Sequence, residues 1–226
     1  AVFALQNGDY LKITIARFTS PLGATIDKTG IQPDLSSEDD VALMTARLLL
    51  SGNDDLNQPE NLIRVTIADK IYYIDLQQAQ NSEFWMVYNK IINSAPSAEL
   101  ALWQNNAWVV VNNLSSSSPW EMYFPSYKLT ANLSVEPQHT FQIRVNHVIN
   151  WQTVNAASIE LIETSSGQRI PVQYVQGDDA QSIKVSPDQP MEVGNKYWLV
   201  VHPTLQDLDG ISLKNGSLAI VEVKNP

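Results

Sequence analysis

Cysteine is absent from the 226 residues of this chain. That excludes disulfides and cysteine-ligated zinc. Histidine is scarce too, with His139, His147 and His202 the only three. A Ser-His-Asp triad or a histidine zinc site would have to draw on these, and none has a ligand spacing such as His-x-x-x-His. Basic residues are few, 14 Lys and Arg against 24 Asp and Glu, for a formal net charge of −10. Such a balance disfavours nucleic acid, where cations must displace counterions from phosphate, and it disfavours anionic lipid. No apolar run nears the ~18 residues needed to cross a bilayer. Ala1 opens without the basic region and apolar stretch of a signal peptide.

What is present is an ordinary globular composition. Hydrophobic residues make up 44% of the chain, and the length suits two or three small domains, each with its own core. The −10 charge is that of a solvated acidic surface. Three Asn-x-Ser sequons, at Asn113, Asn132 and Asn215, are of the kind that polar loops produce by chance.

Three regions stand out. Residues 1–52 predict a hairpin, an irregular loop and a helix. Asn7-Gly8 is a strong hairpin signal, because a type I′ turn needs positive φ at both positions. Leu11, Ile13 and Ile15 then share one strand face. Ser37 is placed to cap the helix, with Asp40 in the capping-box position. Val41, Met44 and Leu48 form the inner stripe, and Gly52 suits a left-handed stop. The polar run Asn53–Asn61 reads as a linker. Residues 60–113 predict a small α+β module of pattern ββαββ. Its strands are Leu62–Ala68, Ile71–Leu76, Glu99–Gln104 and Ala107–Val111, with turns at Asp69-Lys70 and Asn105-Asn106 and a helix over Ser82–Ser94 that ends before Pro96.

Asn112–Pro119, with four consecutive serines, reads as the clearest linker. Beyond it, over 120–226, short strands recur with turn residues between them. They are Thr140–Val145, Ser158–Glu163, Ile170–Val175, Ser182–Ser186, Lys196–Val201 and Ser217–Val223. This spacing predicts a β-sandwich. The whole is expected to be a multidomain chain, part α+β and part all-β.

Two sequence resemblances bear on function. Leu11-Lys-Ile-Thr-Ile-Ala-Arg-Phe-Thr-Ser-Pro-Leu-Gly23, followed by Gly30-Ile-Gln-Pro-Asp34, resembles the closing segment of the core in carboxyl-terminal-processing (tail-specific) serine peptidases. The likeness covers roughly the first fifty residues. It implies a hairpin–helix end of a protease core and a parent enzyme that uses a Ser/Lys pair. It also implies that the nucleophilic Ser, and the Lys and Gln that activate it, lie upstream of Ala1. Lys12 and Gln6 are not their counterparts. The second resemblance covers about 135–224, through Asn155-Ala-Ala-Ser-Ile159, Gly167-Gln-Arg-Ile-Pro-Val172, Pro187-Asp-Gln-Pro-Met-Glu-Val-Gly-Asn-Lys-Tyr197 and Asp207-Leu-Asp-Gly210. These are similar, in order, to the Ig-like modules of bacterial S-layer and surface proteins, which implies an extracytoplasmic setting at the cell surface, in the cell wall or in the medium.

The remaining candidates have plainer readings. The histidines are expected at surface or turn positions. Asp207-Leu-Asp-Gly210 lacks the further oxygens of an EF-hand and fits an Asx turn; Gly177-Asp-Asp179 fits a hairpin turn. Trp85, Trp103, Trp108, Trp120, Trp151 and Trp198 offer a glycan platform in principle, but cross-strand packing is the commoner use of a pair like Trp103 and Trp108. Ser20 before Pro21 reads as a turn residue with no base beside it, and a serine hydroxyl is a weak nucleophile alone.

The sequence therefore predicts the non-catalytic C-terminal region of an exported serine endopeptidase, with modules that position it or recruit a protein substrate or surface partner. No catalytic, cofactor-binding or metal-ligating residue is assigned, and no cofactor. The competing readings are a structural or adhesive surface protein and a glycan-binding module. Residues 1–52 are expected to pack on the 60–113 module or to pair between copies as a homodimer.

Overall fold

The computed structural model describes residues 2–12, 23, 35, 37–52, 57–93, 98–111 and 119–225. The chain divides into two units, Ala1–Ser36 and Ser37–Pro226. In the first, β1 (Val2–Ala4) pairs antiparallel with β2 (Tyr10–Lys12). Only Gly8 has positive φ (88°), and its N–H donates to the Leu5 carbonyl at 3.1 Å. The turn is thus a right-handed one closed by a single left-handed glycine, not type I′. Asn7 instead accepts the Asp9 N–H on its side-chain oxygen (3.2 Å). Ile13, Ile15 and the motifs from Arg17 to Asp34 lie outside the described residues, apart from Gly23.

The predicted helix forms as α1 (Asp39–Leu49) and belongs with the second unit, beyond the boundary at Ser36. Its ends differ from expectation. Glu38 is the N-cap, without a side-chain cap bond, while the Ser37 hydroxyl donates to the Glu38 carbonyl (3.4 Å). Gly52 is not left-handed. A Cβ there would stand 2.7 Å from Leu62 Cδ2 and 2.9 Å from the Tyr73 carbonyl oxygen, so glycine is needed for close approach.

The ββαββ module is present. β3 (Leu62–Ile67), β4 (Lys70–Asp75), β5 (Ala98–Gln104) and β6 (Ala107–Val110) form one antiparallel sheet in the order β4-β3-β5-β6. Both hairpin turns have positive φ at two successive residues: Ala68 and Asp69, then Asn105 and Asn106. These are type I′ turns, the first a residue earlier than the sequence suggests. The short helix α2 (Leu76–Ala79) is capped by Asp75, which accepts the Gln78 N–H at 2.7 Å. α3 (Ser82–Asn93) buries Phe84, Trp85, Val87, Tyr88, Ile91 and Ile92, too wide a stripe for one partner surface. α1 packs against α3 and β4, which covers Leu48 and Leu49.

Beyond a one-turn helix, α4 (Trp120–Tyr123), the sandwich forms. One sheet holds β7 (Lys128–Val135), β9 (Ile159–Glu163), β10 (Arg169–Ile170), β13 (Lys196–Val201) and β14 (Ser217–Val223), in the order β10-β9-β13-β14-β7. The other holds β8 (Phe141–Arg144), β11 (Val172–Gln176) and β12 (Ser182–Pro187), in the order β11-β12-β8. The single strand expected over Ile170–Val175 is split by Pro171, where the chain crosses between sheets. Proline has no N–H to donate and suits such a break. β7 was not foreseen. It alternates half-buried Leu129, Ala131 and Leu133 with exposed polar residues and pairs parallel to β14. Phe141, Leu161, Ile183, Leu199 and Val221 fill the core between the sheets.

The serine-rich segment separates the two modules along the chain but not in space. Trp85 of α3, Tyr123 of α4 and Trp198 of β13 are buried together. The Trp85 and Tyr123 rings stack at 4.1 Å, and both approach Trp198, at 5.6 and 5.2 Å. Trp198 leaves the five-stranded sheet on the face opposite the sandwich core, so the α+β module serves as that sheet's second cover.

Candidate functional site

The densest polar constellation lies beside this aromatic junction. Glu160 projects from β9 on the outer face of its sheet, next to His202 at the end of β13. His202 Nε2 lies 2.6 Å from Glu160 Oε1, and its Nδ1 lies 2.7 Å from the Tyr127 hydroxyl. If Tyr127 donates to Nδ1, the neutral ring donates from Nε2 to the carboxylate, and both ring nitrogens are satisfied. Arg169 donates from Nε to the other Glu160 oxygen (2.9 Å). It also donates to the Gln80 carbonyl across the junction (2.7 Å) and stands over the Trp85 ring at 5.4 Å.

Burial alone would raise the Glu160 carboxyl, but the hydrogen bonds from His202 and Arg169 and the Arg169 charge outweigh it and hold the group below its ordinary value. Burial, aided by the Glu160 charge, pushes the Tyr127 hydroxyl up to about 12. The carboxylate, imidazole and hydroxyl form one continuous hydrogen-bonded chain from Glu160 through His202 to Tyr127. The arrangement locks Tyr127, β9 and the α2–α3 corner together.

A neighbouring turn completes the lock. Trp85 Nε1 donates to the Thr164 carbonyl (2.9 Å). Glu163 accepts from the main-chain N–H groups of Ser165 (3.2 Å) and Ser166 (2.8 Å) and from both hydroxyls. Gly167, at φ 72°, lies flat against Trp85, and a Cβ there would come within 2.4 Å of the indole. A concavity of about 410 Å³ borders this junction, lined in part by Asp75, Gln80 and Tyr127.

His202 is thus part of a network and not a surface turn residue. His139 is exposed with its ring against Phe141 (5.0 Å), and the exposed His147 lies 3.7 Å from Asp207. Asp207 accepts the N–H groups of Asp209 (3.0 Å) and Ile211 (2.9 Å), the expected Asx turn. Asp178 pairs with Lys184 (2.7 Å) and Asp179 with Arg144 (2.8 Å) at the β11–β12 turn. Trp103 and Trp108 are direct cross-strand partners, packed edge to face at 5.4 Å, and Arg64 stands over Trp108 at 5.6 Å. Two rings so tilted cover each other and make no flat platform for a sugar. Lys12 is in β2; Arg17 and Ser20 lie outside the described residues. Among the described residues, no three His, Asp or Glu gather as a metal set, and no helix is long and apolar enough to cross a membrane.

The junction was missed because Glu160, Arg169 and His202 are far apart in sequence. One signal was available: Trp198 and Val200 are apolar on the strand face opposite Tyr197 and Leu199. A strand apolar on both faces requires cover on both.

Comparison with protein-family models finds no match, and comparison with curated proteins finds none either. Among solved structures, part of the chain is similar in fold to the S-layer protein rSbsC, at 12% identity and a TM-score of 0.35, over 44% of this chain and 14% of that one. It is also similar to PcoC, a copper resistance protein from Escherichia coli, at 12% identity and a TM-score of 0.33, over 43% of this chain and 93% of that one. A third likeness is to CopC from Methylosinus trichosporium OB3b, at 16% identity and a TM-score of 0.31, over 43% and 89%. These are distant likenesses, and no functional argument rests on them. The chain itself is mostly β-sheet with a few helices, and its larger part is a β-sandwich.

Proposed function

We propose that this chain is the non-catalytic C-terminal region of an exported bacterial carboxyl-terminal-processing serine endopeptidase. In this reading the α+β module and the Ig-like sandwich form one stiff arm that positions the enzyme outside the cytoplasm or recruits a protein to it. The link to the peptidase rests on the sequence likeness of Leu11–Gly23 and Gly30–Asp34. The observation that carries the arm is the shared junction, where Trp85, Tyr123 and Trp198 stack and Arg169 bridges Glu160 to Gln80. Buried aromatic contact with satisfied polar groups opposes hinge motion, and a stiff spacer fixes the distance and orientation of whatever it bears.

The test is enzymatic. The purified chain should not cleave unfolded or tail-exposed polypeptides, whereas the chain joined to the coding sequence upstream of Ala1 should do so in a Ser- and Lys-dependent way. Removing residues 60–226 from that longer enzyme should change which proteins are cleaved while a short peptide is still turned over. Serine-dependent turnover by the 226-residue chain, abolished by one Ser→Ala substitution within it, would overturn the assignment. The Ig-like motif order favours one runner-up, a structural or adhesive surface protein. That reading wins if the upstream sequence lacks a nucleophilic Ser and its Lys.

A further inference from the structure

We propose that Asn215 is a site of spontaneous covalent modification, where the side chain closes on the Gly216 nitrogen, loses ammonia and leaves an acidic residue beside Tyr127. The modification is independent of the function proposed above and needs no partner or cofactor beyond water.

The step balances within the chain. The Gly216 main-chain nitrogen attacks Cγ of Asn215, so that one C–N bond forms and the bond from Cγ to Nδ2 breaks. The proton of the attacking nitrogen leaves with the amide group as ammonia, and a succinimide ring remains. Water then opens either carbonyl of the ring. One opening gives an aspartate; the other gives an isoaspartate, whose main chain runs through the side-chain methylene. Glycine favours the attack because the following residue then has no Cβ to block it. The sequence contains two such pairs, Asn7-Gly8 and Asn215-Gly216.

The structure separates the two. At the hairpin turn the Gly8 N–H is committed to the Leu5 carbonyl (3.1 Å). The Asn7 carboxamide is held at both ends, with Nδ2 donating to Asp9 Oδ2 (2.8 Å) and Oδ1 accepting the Asp9 N–H (3.2 Å). Ring closure there must first break these bonds. Lys214 and Asn215, by contrast, are exposed in the bend before β14. Among the described residues, no hydrogen bond engages the Asn215 carboxamide or the Gly216 N–H. Gly216 itself is buried, and its carbonyl accepts the Lys128 N–H (3.0 Å). The attacking residue is therefore anchored, while the residue attacked is free to rotate toward it.

The position decides the consequence. The Tyr127 ring lies flat on Gly216, and a Cβ there would strike its Cε2. Just beyond, Ser217 opens the parallel pairing of β14 with Lys128 of β7. An isoaspartate lengthens the main chain by one methylene at a point with no slack on the Tyr127 side, and close-packed surroundings transmit such a shift. Tyr127 is bonded to His202 (2.7 Å) and through it to Glu160 (2.6 Å), so the modified chain should be loosened at this corner.

The experiment ages the full, folded chain at mildly alkaline pH and follows it by peptide mapping and mass spectrometry. Labelling with an isoaspartyl methyltransferase distinguishes the two products. Residue 215 should convert at least about fivefold faster than residue 7, the rate equivalent of one hydrogen bond that Asn7 must break and Asn215 need not. In denaturing urea the gap should close, because only the fold sets the two pairs apart. Asn215→Gln, which must form a larger and slower ring, should abolish conversion there and leave the unfolding midpoint of fresh protein unchanged. Aged chain should unfold at lower urea than fresh chain, whereas aged Asn215→Gln should not. Equal or faster conversion of residue 7 in the folded chain overturns the proposal. So does a residue 215 that converts only when the chain is unfolded. An aged, converted chain with an unshifted midpoint overturns the link to Tyr127.

Discussion

The two sides of the sandwich treat exposed sheet differently. The outer face of the five-stranded sheet is sealed: Ile162, Trp198 and Val200 are buried, under an α+β module keyed by Trp85. Among the described residues, the seam between β7 and β8 is left unsealed, with half-buried aliphatic side chains and two unpaired edges. Aromatic residues and part-buried ion pairs gather on the first side, half-buried aliphatic residues on the second. Among the described residues, one side is covered by a second module and the other is not.

The strongest way to break this contrast is Trp85→Ala. The indole is fully buried among Tyr123, Trp198 and Gly167, and its loss leaves a cavity that spans both modules. Urea unfolding should show a loss of about 3–5 kcal/mol. It should also split one transition into two, because the shared core is what makes the modules cooperative. A single unshifted transition would mean that the junction is a passive contact.

Gly167→Ala attacks the same seal from the other side. The added methyl both strains a positive-φ backbone and strikes the Trp85 ring. A cost of about 2–4 kcal/mol is expected from the sum of strain and overpacking. Gly210→Ala is the control: it too has positive φ, but nothing lies within 4 Å of a Cβ there, so only the backbone part of the cost should appear.

These contrasts show what was legible in the sequence. Strand positions in the sandwich were readable because short runs such as Lys196–Val201 are rich in β-branched and aromatic residues and Gly and Pro punctuate the ends. The ββαββ module was readable from Asn105-Asn106 and the apolar stripe of α3. The junction was not, since Trp85 looks like any core residue of a helix and its partners Tyr123, Thr164 and Trp198 are scattered over later parts of the chain. A serine-rich segment marks a change of composition; it does not report whether the flanking modules touch. β7 escaped because Ala131 weakens its alternation and its partner, β14, lies at the far end of the chain.

The polar half of the seal should titrate. Glu160 has a folded value below its ordinary 4.5, so its contribution is fully present above that pH and is lost as pH falls through the folded value. Tyr127 titrates in the opposite sense. Its value rises from 10.0 to about 12, so its contribution is present below pH 10 and is lost as pH climbs through about 12. Glu160→Gln should cost about 1–2 kcal/mol at neutral pH, because charged hydrogen bonds to His202 and Arg169 become neutral ones. It should also flatten the acid limb of the stability profile. An acid limb identical to that of the unsubstituted chain would place the linkage elsewhere, with Glu163 the next carboxylate to test.

The smallest expected effect is the most direct probe of the open side. Ile143 and Ile183 face each other as registered partners on β8 and β12, yet Ile183 is wholly buried and Ile143 only in part. Ile183→Ala should cost about 2–5 kcal/mol, the sum of lost transfer energy and a cavity that cannot collapse. Ile143→Ala loses only part of a side chain's ~1.5–3 kcal/mol of burial, and water already reaches its side, so no sealed cavity forms. About 1 kcal/mol is expected. Equal losses at the two positions, read from urea midpoints at constant slope, would mean that the seam is shut in solution. A gap of two or more kcal/mol between neighbours on one ladder would mean that the sandwich is closed on one side only.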